Sequence, residues 1–334
     1  MPRVCFPVGI YHFAVQVTIV LLYLAVLNTF MNQVVIAIHG GAGTISRAGM
    51  TQEKEGLYKA ALREALDAGY EQLKNGASAL DAVQAAVVKL EDSPLFNAGR
   101  GSVFTHKGEH EMDAAIMDGK TLRAGAVANV NSVRNPVLLA RAVMEHTEHV
   151  ILSGKGAEEF AEIMKMPFEQ PDYFFDQYRY DQLIDAMKSQ TVRLDHSEKK
   201  FGTVGAVALD SGGGLAAATS TGGMTNKRYG RIGDSPLIGS GTFANGTCAV
   251  SCTGHGEYFI RSVVAYDVAC LMEYKGMTLE QASNEVVNNK LKKLGGEGGL
   301  IAIDRLGNFC LPFNSEGMYR AARSAGVEII NIYG

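Results

Sequence analysis

Residues 203–221 read TVGAVALD, SGGG, LAAATST, two apolar runs joined by a glycine-rich turn. This is the pattern of a β-hairpin, and runs so apolar belong to buried strands. A hairpin that turns at residues 211–214 carries Thr221 back beside Thr203. The entry to the hairpin is unusual. Thr203 is β-branched and suits a strand, whereas Gly202 before it permits unusual backbone angles at an entropic cost. The Gly202–Thr203 joint either ends a loop or marks a bond meant to break.

Other elements surround this unit. From Val34 the run VVIAI reads as a buried strand stopped by HGGAG. Helices are expected over about 52–74 and 79–90, the second opened by Ser78 and Asp81 as a capping box, with Leu80, Val83, Val87 and Leu90 on one face. SVFT, MDAAIMD and AGAVANV read as strands, parted by turns at HKGE and Gly119-Lys120. Asn135-Pro136 opens a helix over about 136–146, and the strand HVILSG leads to another at 156–164. Residues 166–200 are polar, aromatic-rich and weakly periodic, and read as a mobile connection with some helix. After the hairpin, LIGSGTFA and CAVSCTG read as strands before a helix at about 257–274. Thr278 and Gln281 form a second capping box before a helix at 279–293; GLIAID and FCLPFN close the strands, and GMYRAARSAG reads as a short terminal helix. No 20–50-residue repeat is visible. Blocks of strands with helices between and after them point to layered packing rather than regular βαβ winding.

Several function classes drop out. A net charge of −4 offers no basic surface for nucleic acid. Five cysteines (Cys5, Cys248, Cys252, Cys270, Cys310) include no CxxC pair, so neither a zinc site nor a disulfide framework is indicated. VVIAIHGGAG runs a strand into glycines, but GxxxxGK[ST] and GxGxxG are both absent. HKGEH, from His106 to His110, matches a zinc-peptidase spacing that requires one helical face; Gly108 makes it a turn. His255 and Glu257 lack further matched ligands. No GxSxG elbow occurs.

Thr203 offers a different chemistry. A threonine hydroxyl is a poor nucleophile without an adjacent base, and a threonine that begins a chain carries one in its own α-amine. That amine has an ordinary pKa near 8, close to working pH. The arrangement requires a cut at Gly202–Thr203, where Gly202 removes the Cβ that would crowd attack on the preceding carbonyl. Thr221 is placed to hydrogen-bond the nucleophile. In GRIGD, Arg231 suits a carboxylate and Asp234 an ammonium, which together match an amino-acid zwitterion; standing alone they would read as a surface ion pair. In SCTGHGE, the Thr253 hydroxyl and Gly254 amide offer donors to an oxyanion, or simply a glycine turn before a helix.

From about Val34 to Gly317 the chain resembles the plant-type asparaginase/isoaspartyl peptidase family of N-terminal-nucleophile hydrolases. The resemblance rests on IHGGAG, LEDSPLFNAGRGSVF, DAAIMDG, GTVGAVALD, TSTGGMTNK, GRIGDSPLIG, SCTGHGE and GGLIAID, in that order. It implies an α+β fold, a four-layer αββα sandwich in one domain, self-cleaved into an α subunit (31–202, with a flexible tail over about 166–202) and a β subunit (203–334). By position it implies that Thr203 is the nucleophile, Thr221 its supporting hydroxyl, and Thr253 and Gly254 the oxyanion site. Arg231, Ile232, Gly233 and Asp234 would bind the aspartyl head, with Asn97 near the catalytic centre. The HGGAG word would be the glycine strip beside the nucleophile. No cofactor is expected for the chemistry. A structural sodium is implied on main-chain carbonyls of Leu90, Glu91, Ser93, Phe96, Ala98 and Arg100, hard donors that suit such an ion. Expected substrates are β-aspartyl dipeptides and L-asparagine, and the implied assembly is (αβ)2.

Gly202 favours this branch over relatives that hydrolyse glycosylated asparagine or act as endopeptidases, which carry Asp before the threonine. Two alternatives stay open: a glycosylasparaginase-like amidohydrolase, and an uncleaved homologue that only binds amino acids. The N-terminal run YHFAVQVTIVLLYLAVLNTF (11–30) is foreign to cytoplasmic members. It reads as a signal peptide, a membrane anchor or part of an over-extended start before Met31. A cytoplasmic location is the first expectation, with export or anchoring through residues 11–30 as the alternative.

Overall fold

The computed structural model describes residues 33–45, 47–189 and 202–334. The apolar run at 11–30 and the stretch 190–201 before the hairpin lie outside them. Among the described residues no helix is long and apolar enough to cross a membrane.

Two sheets form the centre. The larger has eight strands in the order β12-β11-β1-β5-β6-β2-β3-β4. These are β1 (Val35–Gly43), β2 (Met112–Asp118), β3 (Ala124–Val130), β4 (Ile151–Ser153), β5 (Val204–Leu209), β6 (Leu215–Thr221), β11 (Gly317–Ser324) and β12 (Val327–Tyr333). The smaller runs β10-β9-β8-β7, with β7 (Thr242–Ala244), β8 (Cys248–Gly254), β9 (Gly298–Asp304) and β10 (Phe309–Cys310). All pairings are antiparallel except β3 with β4.

The continuous apolar character of the central strands follows from cover on both faces. Side chains alternate along a strand, so Ile36 and Ile38 face one way and Val35 and Ala37 the other. The first pair joins Val204, Ala206 and Ala218 under the helices α1 (Gln52–Lys74), α2 (Ala79–Asp92) and α3 (Pro136–His146). The second pair joins Val207, Leu209 and Ala217 against Val250, Cys252 and Ile301 of the small sheet. Beyond that sheet lie α6 (Gly256–Ser262), α7 (Val264–Lys275) and α8 (Leu279–Asn284). The short helix α4 (Gly154–Ile163) completes the outer layer of the larger sheet beside β3 and β4, whereas α5 (Gln177–Lys188) packs Tyr180 on Phe104. The architecture is the four-layer αββα sandwich.

Both capping boxes form, Ser78 with Asp81 and Thr278 with Gln281. Several local expectations fail. GMYRAARSAG is strand, not helix: Met, Ala and Arg favour a helix locally, but pairing along β1 overrides that weak preference. Gly326 (φ +81°) then turns the chain into β12, an element the pattern reading missed. SVFT (102–105) is a loop tied by side chains, with the Val103 amide donating to Asn97 Oδ1. In LIGSGTFA only Thr242–Ala244 is strand, because residues 237–241 close turns on Asp234 and Leu237. In FCLPFN only Phe309–Cys310 is strand. The 257–274 helix breaks at Val263 (φ 48°), and the 279–293 helix continues beyond Asn284 as a π-helical turn, Glu285–Leu291. Residues 166–189 carry the expected helix, at Pro171–Phe174 and Gln177–Lys188, and Tyr173 donates to Asp92 while Phe174 packs beside His110.

Candidate active site

The hairpin register sets the first pair of groups. Val204 pairs with Ser220, so the next step along each strand brings Thr203 beside Thr221. The Thr203 hydroxyl donates to Thr221 Oγ1 at 3.2 Å, and Thr221 Oγ1 also accepts the Gly223 amide at 3.0 Å. Both threonines are buried. Asn97 holds the loop that follows Thr221. Its Nδ2 donates to Gly223 O at 2.8 Å, and its main-chain carbonyl accepts the Gly222 amide. Lys227, buried further along the same loop, anchors it by donating to the Glu111 carbonyl at 2.6 Å.

The Gly202–Thr203 peptide is closely framed. A Cβ on Gly41 would lie 2.5 Å from the Gly202 carbonyl oxygen, so only glycine fits there. Thr253 Oγ1 accepts the Ala42 amide at 3.1 Å and stands 3.9 Å from where a Cβ on Gly202 would be. Accepting from Ala42 leaves the Thr253 hydroxyl its proton to donate.

Arg231 and Asp234 converge on the same cleft. A Cβ on Gly256 would lie 2.7 Å from Arg231 Nη2 and 3.0 Å from Asp234 Oδ1. The guanidinium presents its Nε and Nη2 fork to Glu257, with both bonds 2.9 Å long. Asp234 is buried and, among the described residues, its Oδ2 has no hydrogen-bond partner. Burial pushes its carboxyl up to about 7, against the downward pull of a backbone hydrogen bond and Arg231. A buried carboxyl with one oxygen unpartnered beside a guanidinium is suited to receive an ammonium.

Gly202, Thr203, Thr221, Arg231, Asp234 and Gly254 line one pocket of about 330 Å³ including its open mouth. Gly223, Met224 and Ser235, which pattern reading did not single out, complete it with Gly233. Ile232 is half-buried and does not line it; Asn97 and Thr253 are also absent from its lining, although Thr253 Oγ1 borders the Gly202–Thr203 joint. Glu257, set aside above as a metal ligand, is the partner of Arg231; they lie 26 residues apart, too far for spacing to reveal.

The 90–100 loop folds tightly on itself. Side chains at Gly99 and Gly101 would overlap the carbonyl oxygens of Glu91 and Phe96. The Phe96 and Ala98 carbonyls each accept one amide, from Ala98 and Gly101. Among the described residues no group of three or more His, Cys, Asp or Glu is placed to hold a metal. His106 faces Asn226, whereas His110 packs on Phe104.

Residues 32–330 match the asparaginase family. An isoaspartyl peptidase of Salmonella typhimurium is 57% identical over 303 residues, covering 89% of this chain and 97% of its own length. An isoaspartyl peptidase of Escherichia coli is 56% identical, covering 89% and 94%. An isoaspartyl peptidase/L-asparaginase of Homo sapiens is 42% identical over 297 residues, covering 89% and 94%. The match spans both sheets and every residue that lines the pocket, and the chain belongs to the asparaginase family of hydrolases.

Proposed function

We infer that the protein is an isoaspartyl peptidase and L-asparaginase that first cuts itself between Gly202 and Thr203. This rests on the Thr203–Thr221 hydroxyl pair in a pocket that also presents Arg231 and an Asp234 carboxyl whose Oδ2 has no partner among the described residues. In self-cleavage, Thr203 Oγ1 attacks the Gly202 carbonyl carbon. The C–N bond breaks, the nitrogen takes the hydroxyl proton, and water hydrolyses the resulting ester. The freed amine is then the base.

In turnover, Arg231 holds the substrate's α-carboxylate and Asp234 its α-ammonium. The Thr203 hydroxyl gives its proton to the α-amine and attacks the β-carbonyl. The oxyanion meets the Thr253 hydroxyl and the Gly254 amide. Ammonia or an amino acid leaves with that proton. Water, deprotonated by the same amine, releases L-aspartate from the β-aspartyl ester. Because the clamp grips only the aspartyl head, an amide and an isopeptide are both accommodated. The carbonyls of Leu90, Glu91, Ser93, Phe96, Ala98 and Arg100 would hold a sodium ion, supported by the tight turn at Gly99 and Gly101. When bound, the ion supplies fixed positive charge to the loop carrying Asn97 and no bond-making chemistry.

The direct test is aspartate release from a β-aspartyl dipeptide, from L-asparagine and from the α-linked dipeptide. Release from the first two alone is expected; release from the α-linked isomer would contradict the clamp. Thr221→Val should slow turnover about 2- to 10-fold, the worth of one hydrogen bond between neutral groups. An unchanged kcat would remove Thr221 from the site.

Asp234 sets a pH dependence. Its carboxyl is neutral in the empty pocket below about 7 and charged above. Acidification from pH 8 to 6 should therefore raise KM for the zwitterionic substrate. Asp234→Asn should give a high KM that is flat over that range. A wild-type KM that does not change between pH 8 and 6 would exclude Asp234 as the ammonium's partner.

A further inference from the structure

The Thr203 carbonyl has a partner that the chemistry above leaves unused. His39 Nδ1 lies 3.0 Å from Thr203 O, and His39 Nε2 lies 2.9 Å from Ser251 Oγ. The ring is buried between the two sheets. A carbonyl oxygen only accepts, so the network assigns the proton to Nδ1. Burial pulls the imidazole down to about 3, outweighing the opposite effect of the Thr203 carbonyl, so the ring is neutral. Its Nε2 is then bare, and the Ser251 hydroxyl donates to it. Ser251 Oγ stands 2.7 Å from Thr219 Oγ1, and Thr219 Oγ1 accepts from Thr242 at 2.6 Å. The donors thus run in one direction: Thr242, Thr219, Ser251, His39, Thr203 O. This row joins β7 and β8 of the small sheet to β6, β1 and the start of β5.

The backbone makes room for the junction. His39 pairs with Gly205 across β1 and β5. A Cβ on Gly205 would overlap Ser251 Oγ and lie 2.5 Å from His39 Nε2. A glycine inside a buried strand weakens the strand, and here its missing side chain is the space where ring and hydroxyl meet.

We propose that His39 is a positioning residue for the nucleophile, with Ser251 holding its ring in the donating tautomer. The inference rests on Thr203 as the nucleophile. The need is greatest after cleavage, when Thr203 loses its tether through Gly202 and becomes a chain end, where order is most easily lost. Its carbonyl bond to His39 and its hydroxyl bond to Thr221 then fix the two ends of the residue. A displacement of about 1 Å at a reacting group costs about 100-fold in rate.

The test compares the full-length wild type with His39→Ala, His39→Asn and Ser251→Ala for intact mass, thermal midpoint, and kcat and KM on a β-aspartyl dipeptide. Asn keeps an N–H near the place of Nδ1 and cannot span to Ser251. For His39→Ala, kcat should fall about 10- to 100-fold with KM within about threefold, since Arg231 and Asp234 are untouched. His39→Asn should recover most of that loss, and Ser251→Ala should fall between, because the ring is freed to move its proton to Nε2. If His39→Ala fails to fold, Ser251→Ala carries the test, with a kcat loss restored by Ser251→Thr. Wild-type kcat in His39→Ala and Ser251→Ala, or a loss that falls on KM, overturns the proposal. So does His39→Asn no better than His39→Ala at equal thermal midpoint, which would make the ring mere packing. An uncut wild type overturns the nucleophile reading and this inference with it; a cut, active wild type beside unaffected variants overturns this inference alone.

Discussion

Thr203→Ala leaves the protein as one uncut chain without hydrolytic activity. The substitution removes the hydroxyl that attacks both the Gly202 carbonyl and the substrate, and leaves the peptide nitrogen acylated, so nucleophile and base vanish together. Loss of residues that act as one unit costs about 10⁴-fold or more, which places activity at background. The fold should persist. Thr203 stands at the start of β5, and among the described residues its side chain makes one hydrogen bond, to Thr221. A thermal midpoint a few degrees lower is expected, from about 1 kcal/mol for a lost buried hydrogen bond. Thr203→Ser keeps the hydroxyl and should still cut. Cleavage at 202/203 in Thr203→Ala would assign the attack to another group.

Arg231→Ala should behave in the opposite way, cutting itself normally and failing on substrate. Arg231 directs its Nε and Nη2 to Glu257 beside Asp234, and among the described residues no hydrogen bond joins it to the Gly202–Thr203 peptide. Truncating one partner of a buried, hydrogen-bonded charge pair costs about 2–5 kcal/mol. The Arg231 side chain keeps 18% exposure, so the lower end applies, about 30- to 300-fold in kcat/KM. Glu257 keeps 45% exposure and can be solvated when its partner is gone. Arg231→Lys should recover little, because an ammonium lacks the planar fork that Glu257 engages through two bonds. Wild-type turnover of a β-aspartyl dipeptide by Arg231→Ala would end the clamp assignment.

What could be read from the sequence was what is local. Thr203 and Thr221 are joined by one hairpin, whose glycine turn determines the register. Arg231 and Asp234 lie in one five-residue word, and both capping boxes are short-range. What escaped is held by tertiary contact. His39 meets Thr203 and Ser251 across 164 and 212 residues. Two signals were available: a histidine directly after the run VVIAI, where the strand does not stop but continues as β1 to Gly43, and Gly205 inside another, two residues after Thr203. Neither shows which groups meet. The terminal strands escaped for a related reason. GMYRAARS has helical preferences, and only the open edge of β1 makes it a strand. Ile232 was carried by its place between Arg231 and Gly233, although its half-buried side chain stays out of the pocket.

All of the proposed chemistry depends on breakage of the Gly202–Thr203 bond, which frees the Thr203 amine. Intact mass of the full-length protein, incubated after purification, tests it most directly. The mass of the second chain does not depend on where the first begins. Two chains are expected, the second starting at Thr203. A single folded chain of unchanged mass that never yields this fragment would contradict it, leaving an amino-acid pocket without a catalyst.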